Sequence, residues 1–287
     1  MTIEASYREL SHQLNQLYDQ REAMNIAGLA IEFITGKGNT DRIIDKNALL
    51  SQGQEEQFQT ITKALLSHQP IQYILGEAWF AGMKFFVDKN VLIPRPETEE
   101  LVDWIVGDAG LPAGRQDTGC GILDIGSGSG CIPIALKKKI KNSVITSIDV
   151  SEDALQVAKK NALTLGVEVN FLLIDFLDEN NWNQLPVFDI IVSNPPYIKQ
   201  SESNSMSKHV LDAEPHIALF VPDEDALLFY RKIAAFGKTH LNPKGRIFVE
   251  INEALSKEVI TLFEKEGYRS HIKKDLQGKD RMVQASF

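Results

Sequence analysis

Gly121-Ile122-Leu123-Asp124-Ile125-Gly126-Ser127-Gly128-Ser129-Gly130 decides how the rest of this chain is read. A short apolar run enters a loop with glycine at every second place, and Cys131-Ile132-Pro133-Ile134-Ala135-Leu136 then opens a helix. Strand, loop and helix in that order are half of a βαβ unit. The glycines let backbone pass close to a ligand. Their spacing, D-x-G-x-G-x-G, differs from the G-x-G-x-x-G that grips a dinucleotide pyrophosphate. Further on, Val144-Ile145-Thr146-Ser147-Ile148-Asp149 is β-rich and ends in a carboxylate nineteen residues after Gly130. An acid at roughly that offset, about 20 residues, meets ribose hydroxyls in doubly wound folds. Asp149 is therefore the expected ribose ligand, because the competing role of helix N-cap suits Ser151 better. A helix over 152–165 and a strand over 169–174 follow. Asp175 and Phe176 at the strand's end suit an adenine amino group and ring face, although Phe176 is equally at home in a core.

The second informative stretch is Phe188-Asp189-Ile190-Ile191-Val192-Ser193-Asn194-Pro195-Pro196-Tyr197. Its first five residues, apolar apart from Asp189, read as a strand covered on both faces. Asn-Pro-Pro then stops the strand and holds Asn194 and Pro195 stiffly at the rim where open α/β sheets bind ligands. An amide or exocyclic amino nitrogen is a poor nucleophile because its lone pair is delocalised. The Asn194 side-chain oxygen and the Pro195 carbonyl, each accepting one hydrogen of an NH2 group, would hold such a nitrogen for attack. Tyr197 would lay its ring against the flat group. A plain turn with two prolines is the competing reading of these four residues.

The glycine-loop spacing resembles the first motif of S-adenosylmethionine-dependent methyltransferases. From about Gln69 to the C-terminus the chain resembles the PrmC (HemK) family of protein-(glutamine-N5) methyltransferases, with a looser likeness before that. The pieces that carry it are Pro70-Ile71-Gln72-Tyr73-Ile74-Leu75-Gly76, Val91-Leu92-Ile93-Pro94-Arg95-Pro96-Glu97-Thr98-Glu99, the glycine loop, Ser193-Asn194-Pro195-Pro196-Tyr197-Ile198, Glu214-Pro215 and Asp275-Leu276-Gln277-Gly278-Lys279-Asp280-Arg281. The resemblance implies an α/β fold: a seven-stranded Rossmann-like methyltransferase domain, one strand antiparallel, behind a small N-terminal helical bundle. It implies S-adenosylmethionine as cofactor, held by Gly126, Ser127, Gly128, Ser129, Gly130, Asp149, Phe176 and Asn194. It further implies catalysis by Asn194, Pro195 and Tyr197, with Pro196 joining them against the substrate. That substrate is the glutamine of the Gly-Gly-Gln loop in class 1 peptide chain release factors. A departure from the family pattern, the long stretch 110–120, reads as a surface insertion.

Bulk properties fit a cytoplasmic enzyme, and a monomer is the expectation. With 287 residues, 43% hydrophobic and 24% charged, two globular domains are the natural count. The expected division is a helical domain at 1–72 for substrate recognition, a β-hairpin linker at 73–94 and the catalytic domain at 95–287. No run approaches the ~20 apolar residues of a membrane span. Two cysteines and six scattered histidines lack ligand spacing, so neither disulfides nor a metal site is expected. Enzymes that methylate adenine N6 in DNA or RNA face the same electronic problem and are the alternative. The net charge of −9, and nine acids against six bases in the first 75 residues, make a poor cradle for phosphates. The run Lys137-Lys138-Lys139-Ile140-Lys141 reads as a helix end facing solvent.

Local patterns fill in the remainder. Helices are expected from Tyr7 to Tyr18, from Ala23 to Ile34, around Ala48–Ser51 and over 55–68. Trp79, Phe80, Phe85 and Phe86 are expected inside the hairpin. The resemblance implies that the loop carrying Arg95 covers the methionine end of the cofactor, and helix capping with domain docking is the competing reading of Arg95. The serine-rich stretch 199–207 suits a mobile lid or a plain surface loop.

Overall fold

The structure, a computed structural model, describes residues 1–108, 119–205 and 208–287. It divides into two compact units, Met1–Glu77 with the segment 208–213, and the remainder. The first unit contains α1 (Ile3–Leu14), α2 (Gln20–Thr35), α3 (Asn39–Ile44), α4 (Gln52–Leu66) and α5 (Ile71–Leu75). Leu10, Leu14, Ala27, Ile31, Phe58 and Leu65 close its core. Thr2, Asp19 and Ser51 cap α1, α2 and α4, and Ser51 with Gln54 forms a reciprocal capping box. Each such cap stabilises a helix by about 1 kcal/mol. The helix expected around Ala48–Ser51 is instead α3, several residues earlier. Gly36 ends α2 in the left-handed region at φ 69°, the chain turns at once into α3, and Ser51 is used as a cap after an extended stretch in which Leu49 bridges Thr2.

The second unit begins at Ala78, within the first strand of a two-stranded sheet, β1 (Glu77–Phe80) and β2 (Met83–Phe86). Ala81 and Gly82 between them both take positive φ, the geometry of a tight hairpin turn. Phe80 and Phe85 are fully buried as expected, but Trp79 is 61% exposed. The pleat sends alternate side chains to opposite faces, and burying Phe80 turns Trp79 outward, where Lys84 lies over its ring.

There follow α6 (Pro96–Asp108), β3 (Gly121–Ile125), α7 (Cys131–Lys139), β4 (Val144–Asp149), α8 (Glu152–Leu165), β5 (Asn170–Leu173), β6 (Phe188–Ser193) and β7 (Ile198–Lys199). The chain continues through α9 (Lys208–Leu211), β8 (Phe220–Val221), α10 (Leu228–His240), β9 (Leu241–Glu250), α11 (Ser256–Lys265), β10 (Arg269–Lys274) and β11 (Asp280–Ser286). Residues 110–118 of the expected insertion, and Met206 and Ser207 of the serine-rich stretch, lie outside the described residues. Gln200–Ser205 of that stretch is a 3-10 helix.

Seven strands make the main sheet in the order β10-β11-β9-β6-β3-β4-β5, with β11 antiparallel to both neighbours and the others parallel. Alternation along each strand feeds two cores. Leu123, Ile125, Ile191, Ile247 and Val249 join one, while Ile122, Ile190, Val192 and Phe248 join the other, so both faces of the sheet are covered. The winding reverses beside β3, since β4 and β5 lie on one side and β6 on the other. At such a switch point the strand ends leave a crevice open.

Candidate functional site

Register places the two informative stretches side by side. Ile125, the last residue of β3, pairs with Ser193, the last of β6, and the Ser193 hydroxyl donates to the Ile125 carbonyl at 2.7 Å. The glycine loop and the Asn-Pro-Pro turn therefore leave the sheet from adjacent points. Around them lies a cavity of about 280 Å³ whose lining residues all belong to the second unit.

Backbone amides aim the glycine loop. Gly126 and Ser127 N–H donate to the Ile148 carbonyl at 2.9 and 3.0 Å, and Gly128 N–H donates to Asp149 Oδ2 at 2.9 Å. Gly128 lines the cavity with φ 50° and has open space where a Cβ would stand. At Gly130, a Cβ would meet Ala158 and Ile134 at 3.1 Å, so glycine is what lets α7 pack this closely. Asn161 on α8 accepts from Phe86 N–H at 2.7 Å and donates to the carbonyls of Phe86 and Ser129, tying the hairpin to the loop. Beneath the loop, Asp124 is fully buried and accepts from Ser147 at 2.6 Å, which meets Ser127 at 2.6 Å. Burial, with the Asp149 charge nearby adding to it against the Ser147 bond, raises Asp124 to about 8.

Asp149 lines the cavity, and its other oxygen accepts from Ser151 N–H at 2.9 Å. Ser151 itself caps α8, as the sequence suggested. Burial raises the Asp149 carboxyl above its ordinary value, opposed by those backbone bonds. Phe176 is both part of the cavity wall and part of the core. It lines the cavity while stacking on Trp182 at 5.6 Å and meeting Phe236 edge-on at 5.5 Å. Asp175 lies at the same rim. An open glycine cradle, a carboxylate and an aromatic wall in one crevice fit a nucleoside-bearing cofactor without a pyrophosphate.

Asn194, Pro195 and Pro196 line the same cavity, whereas Tyr197 is absent from its lining. Tyr197 packs against the core and donates its hydroxyl to Glu250 Oε1 at 3.3 Å. Asn194 Nδ2 donates to Thr98 Oγ1 at 3.1 Å, and Thr98 Oγ1 donates to Glu250 Oε2 at 2.7 Å. Thr98 sits in the first turn of α6 and Glu250 ends β9. Burial raises Glu250 to about 7, against the Thr98 and Tyr197 bonds and the Arg281 charge, with Glu97 adding to the rise. Sequence reasoning did not single out Thr98 or Glu250 as site residues. A carboxylate closing the apolar run Ile247-Phe248-Val249 was the available signal. Arg95 lines the cavity and pairs with buried Glu214, which also accepts from Ile93 N–H at 3.3 Å. The lysine run does end α7 as expected, Lys139 pairing with Asp103. Among the described residues no cluster of side chains could hold a metal ion, and no helix is long and apolar enough to cross a membrane.

A doubly wound sheet with this loop and this turn at one switch point defines a Rossmann-like S-adenosylmethionine-dependent methyltransferase. The methyltransferase small domain family model matches residues 113–218, and the PrmC N-terminal domain model matches residues 6–76. The chain is 40% identical to the release factor glutamine methyltransferase of Flavobacterium psychrophilum, over all of both chains. It is likewise 40% identical to the one from Bacteroides thetaiotaomicron, covering 96% of this chain and 97% of that one. The chain belongs to the release factor glutamine methyltransferase family. In fold alone it is similar to the hMettl16 catalytic domain, at 14% identity and a TM-score of 0.52, covering 83% of this chain and 82% of that one.

Proposed function

We propose that this protein methylates the side-chain amide nitrogen of the glutamine in the Gly-Gly-Gln loop of class 1 peptide chain release factors. The observation that supports this reading is the Ile125–Ser193 register, by which the glycine loop and the Asn-Pro-Pro turn leave the sheet at adjacent strand ends. When bound, S-adenosylmethionine supplies a methyl group on a positively charged sulfur that leaves as a neutral thioether. Gly126 to Gly130 would form its cradle, Asp149 would take the ribose hydroxyls and Phe176 would face the adenine.

The rest falls to the turn. Asn194 Oδ1 and the Pro195 carbonyl each accept one hydrogen of the substrate NH2, fixing the nitrogen's position and favouring a localised lone pair as the new N–C bond forms. Pro196 narrows the wall beside them. Tyr197 braces the turn from behind through Glu250. The nitrogen becomes acidic once alkylated, so its proton passes to water without a dedicated base. The acidic helical unit suits a protein substrate better than a phosphate backbone.

Transfer of a tritiated methyl group to purified release factor, to its Gly-Gly-Ala loop variant, and to DNA and RNA tests the reading. Label is expected on the intact release factor alone. Label on nucleic acid, or equal label on the loop variant, overturns it.

A further inference from the structure

An asparagine clamp works only if it shows oxygen, not nitrogen, to the amide it holds. The two ends of the Asn194 amide are nearly the same shape, and a half-turn about its last torsion exchanges acceptor for donor. Pro195 and Pro196 carry no N–H, so the two residues that follow Asn194 offer no backbone donor to its side-chain oxygen.

The orientation comes instead from two other elements. Thr98 on α6 has one hydroxyl proton, and Glu250 at the end of β9 takes it at 2.7 Å. An ionised carboxylate only accepts. Thr98 is left with lone pairs toward Asn194, and these can be met only by the NH2 end, as the 3.1 Å bond from Nδ2 shows. The hydrogen bonds thus run one way, from Asn194 to Thr98 to Glu250. A donor in place of Glu250 would send the Thr98 proton toward Asn194 and turn the amide around. Glu250 is itself held on several sides. Its Oε1 accepts from Tyr197, its backbone carbonyl accepts from the Tyr230 hydroxyl at 3.0 Å, and Arg281, bonded to Asp275 at 3.3 Å, lends a positive charge.

We propose that Glu250, acting through Thr98, is a positioning residue that decides which end of the Asn194 amide meets the substrate, and so restricts the turn to groups that donate two hydrogens. The inference rests on Asn194 being the clamp of the proposed reaction. Its consequence is a specificity: a glutamine amide satisfies two fixed acceptors, and a glutamate carboxylate at neutral pH is repelled by both.

Hydrogen bonding and packing are separated by Thr98→Val and Thr98→Ser. Thr98→Val is expected to lower kcat for release factor about 10- to 100-fold with KM and cofactor Kd changed less than about threefold, and Thr98→Ser to recover most of the loss. The opposite ranking, with the valine variant active and the serine variant impaired, assigns Thr98 to packing and overturns the proposal. Polarity is tested by reversal. Asn194→Asp at pH 8 strands one hydroxyl between two carboxylates and is expected to be inactive. Adding Glu250→Gln lets the introduced amide donate to Thr98, which passes its proton to the introduced carboxylate, so kcat should recover at least about tenfold. No recovery, with both proteins binding cofactor in calorimetry, overturns the proposal. A third measurement needs no substrate: one Asn194 side-chain N–H should resist hydrogen exchange in the NMR spectrum of wild type and lose that protection in Thr98→Val. Wild type that labels no release factor sinks the proposed substrate, while this amide signal still decides the orientation.

Discussion

Asp124 beneath the glycine loop and Glu250 beside the Asn-Pro-Pro-Tyr turn are both buried carboxylates, and their surroundings differ in kind. Both touch hydroxyls and both are raised by desolvation, to about 8 and about 7. Asp124 meets Ser147 and the negative Asp149, and its Oδ1 has no hydrogen-bond partner among the described residues. Glu250 meets two donating hydroxyls and the charge of Arg281. The first setting suits a neutral acid and the second keeps ionisation within reach at neutral pH. The reason lies in what each neighbouring segment lacks. The glycine loop is aimed by its own N–H groups, so the acid beneath it has no direction to impose. The proline turn has lost those groups, so a charge must supply the direction.

The largest effect should come from the turn. Asn194→Ala is expected to cut transfer by about 10³-fold while cofactor affinity moves less than about threefold, measured by tritium transfer and calorimetry. Turnover within tenfold of wild type would break the comparison at its functional end. On the loop side, Asp149→Ala removes a charged acceptor and the anchor of Gly128, and should weaken cofactor binding about 10- to 100-fold. Turnover at saturating cofactor should suffer far less, so the two halves separate as kcat and Kd.

Acid sensitivity sharpens the contrast. Glu250 faces Thr98 from α6, Tyr197 from the turn, Arg281 from β11 and the Glu97 charge, and its carboxyl stands at about 7. Turnover of wild type should rise with pH through that value as the proton leaves and Thr98 is fixed as a donor toward Glu250. In Glu250→Gln that limb should vanish, leaving low and flat activity. An unchanged profile would detach Glu250 from the clamp. The smallest effect belongs to Asp124→Asn. A folded-state value above the ordinary one means stability from this group is full below the usual carboxylate range and is lost as pH rises to about 8. The variant should differ least from wild type near pH 4 and melt progressively higher than it as pH rises to about 8, by thermal denaturation followed with circular dichroism.

What the sequence revealed depended on how far apart the partners stand. The glycine loop, its strand and Asp149 are legible because a βαβ half-unit is written in neighbouring residues, whereas the register that joins the loop to Asn194 appears only in the folded sheet. The Thr98–Glu250 bond is not legible either, since it closes 152 positions. Nothing in a threonine at a helix start or an acid at a strand end announces the other. Trp79 misled because bulk argues for burial while strand alternation decides which face is available, and Phe80 had the inner one. The misplaced third helix had a similar cause: apolar Ala48, Leu49 and Leu50 outweighed the short polar α3, although Ser51 and Gln54 already spelled a cap.

The Ser193–Ile125 bond joins residues 68 positions apart at the two strand ends from which loop and turn depart. The spacing of loop and turn is therefore set by a sheet ladder and is independent of the length of chain between them. The connection after α8 can be lengthened, tagged or exchanged, and the reaction distance should survive, which makes this interval the natural place to engineer the molecule.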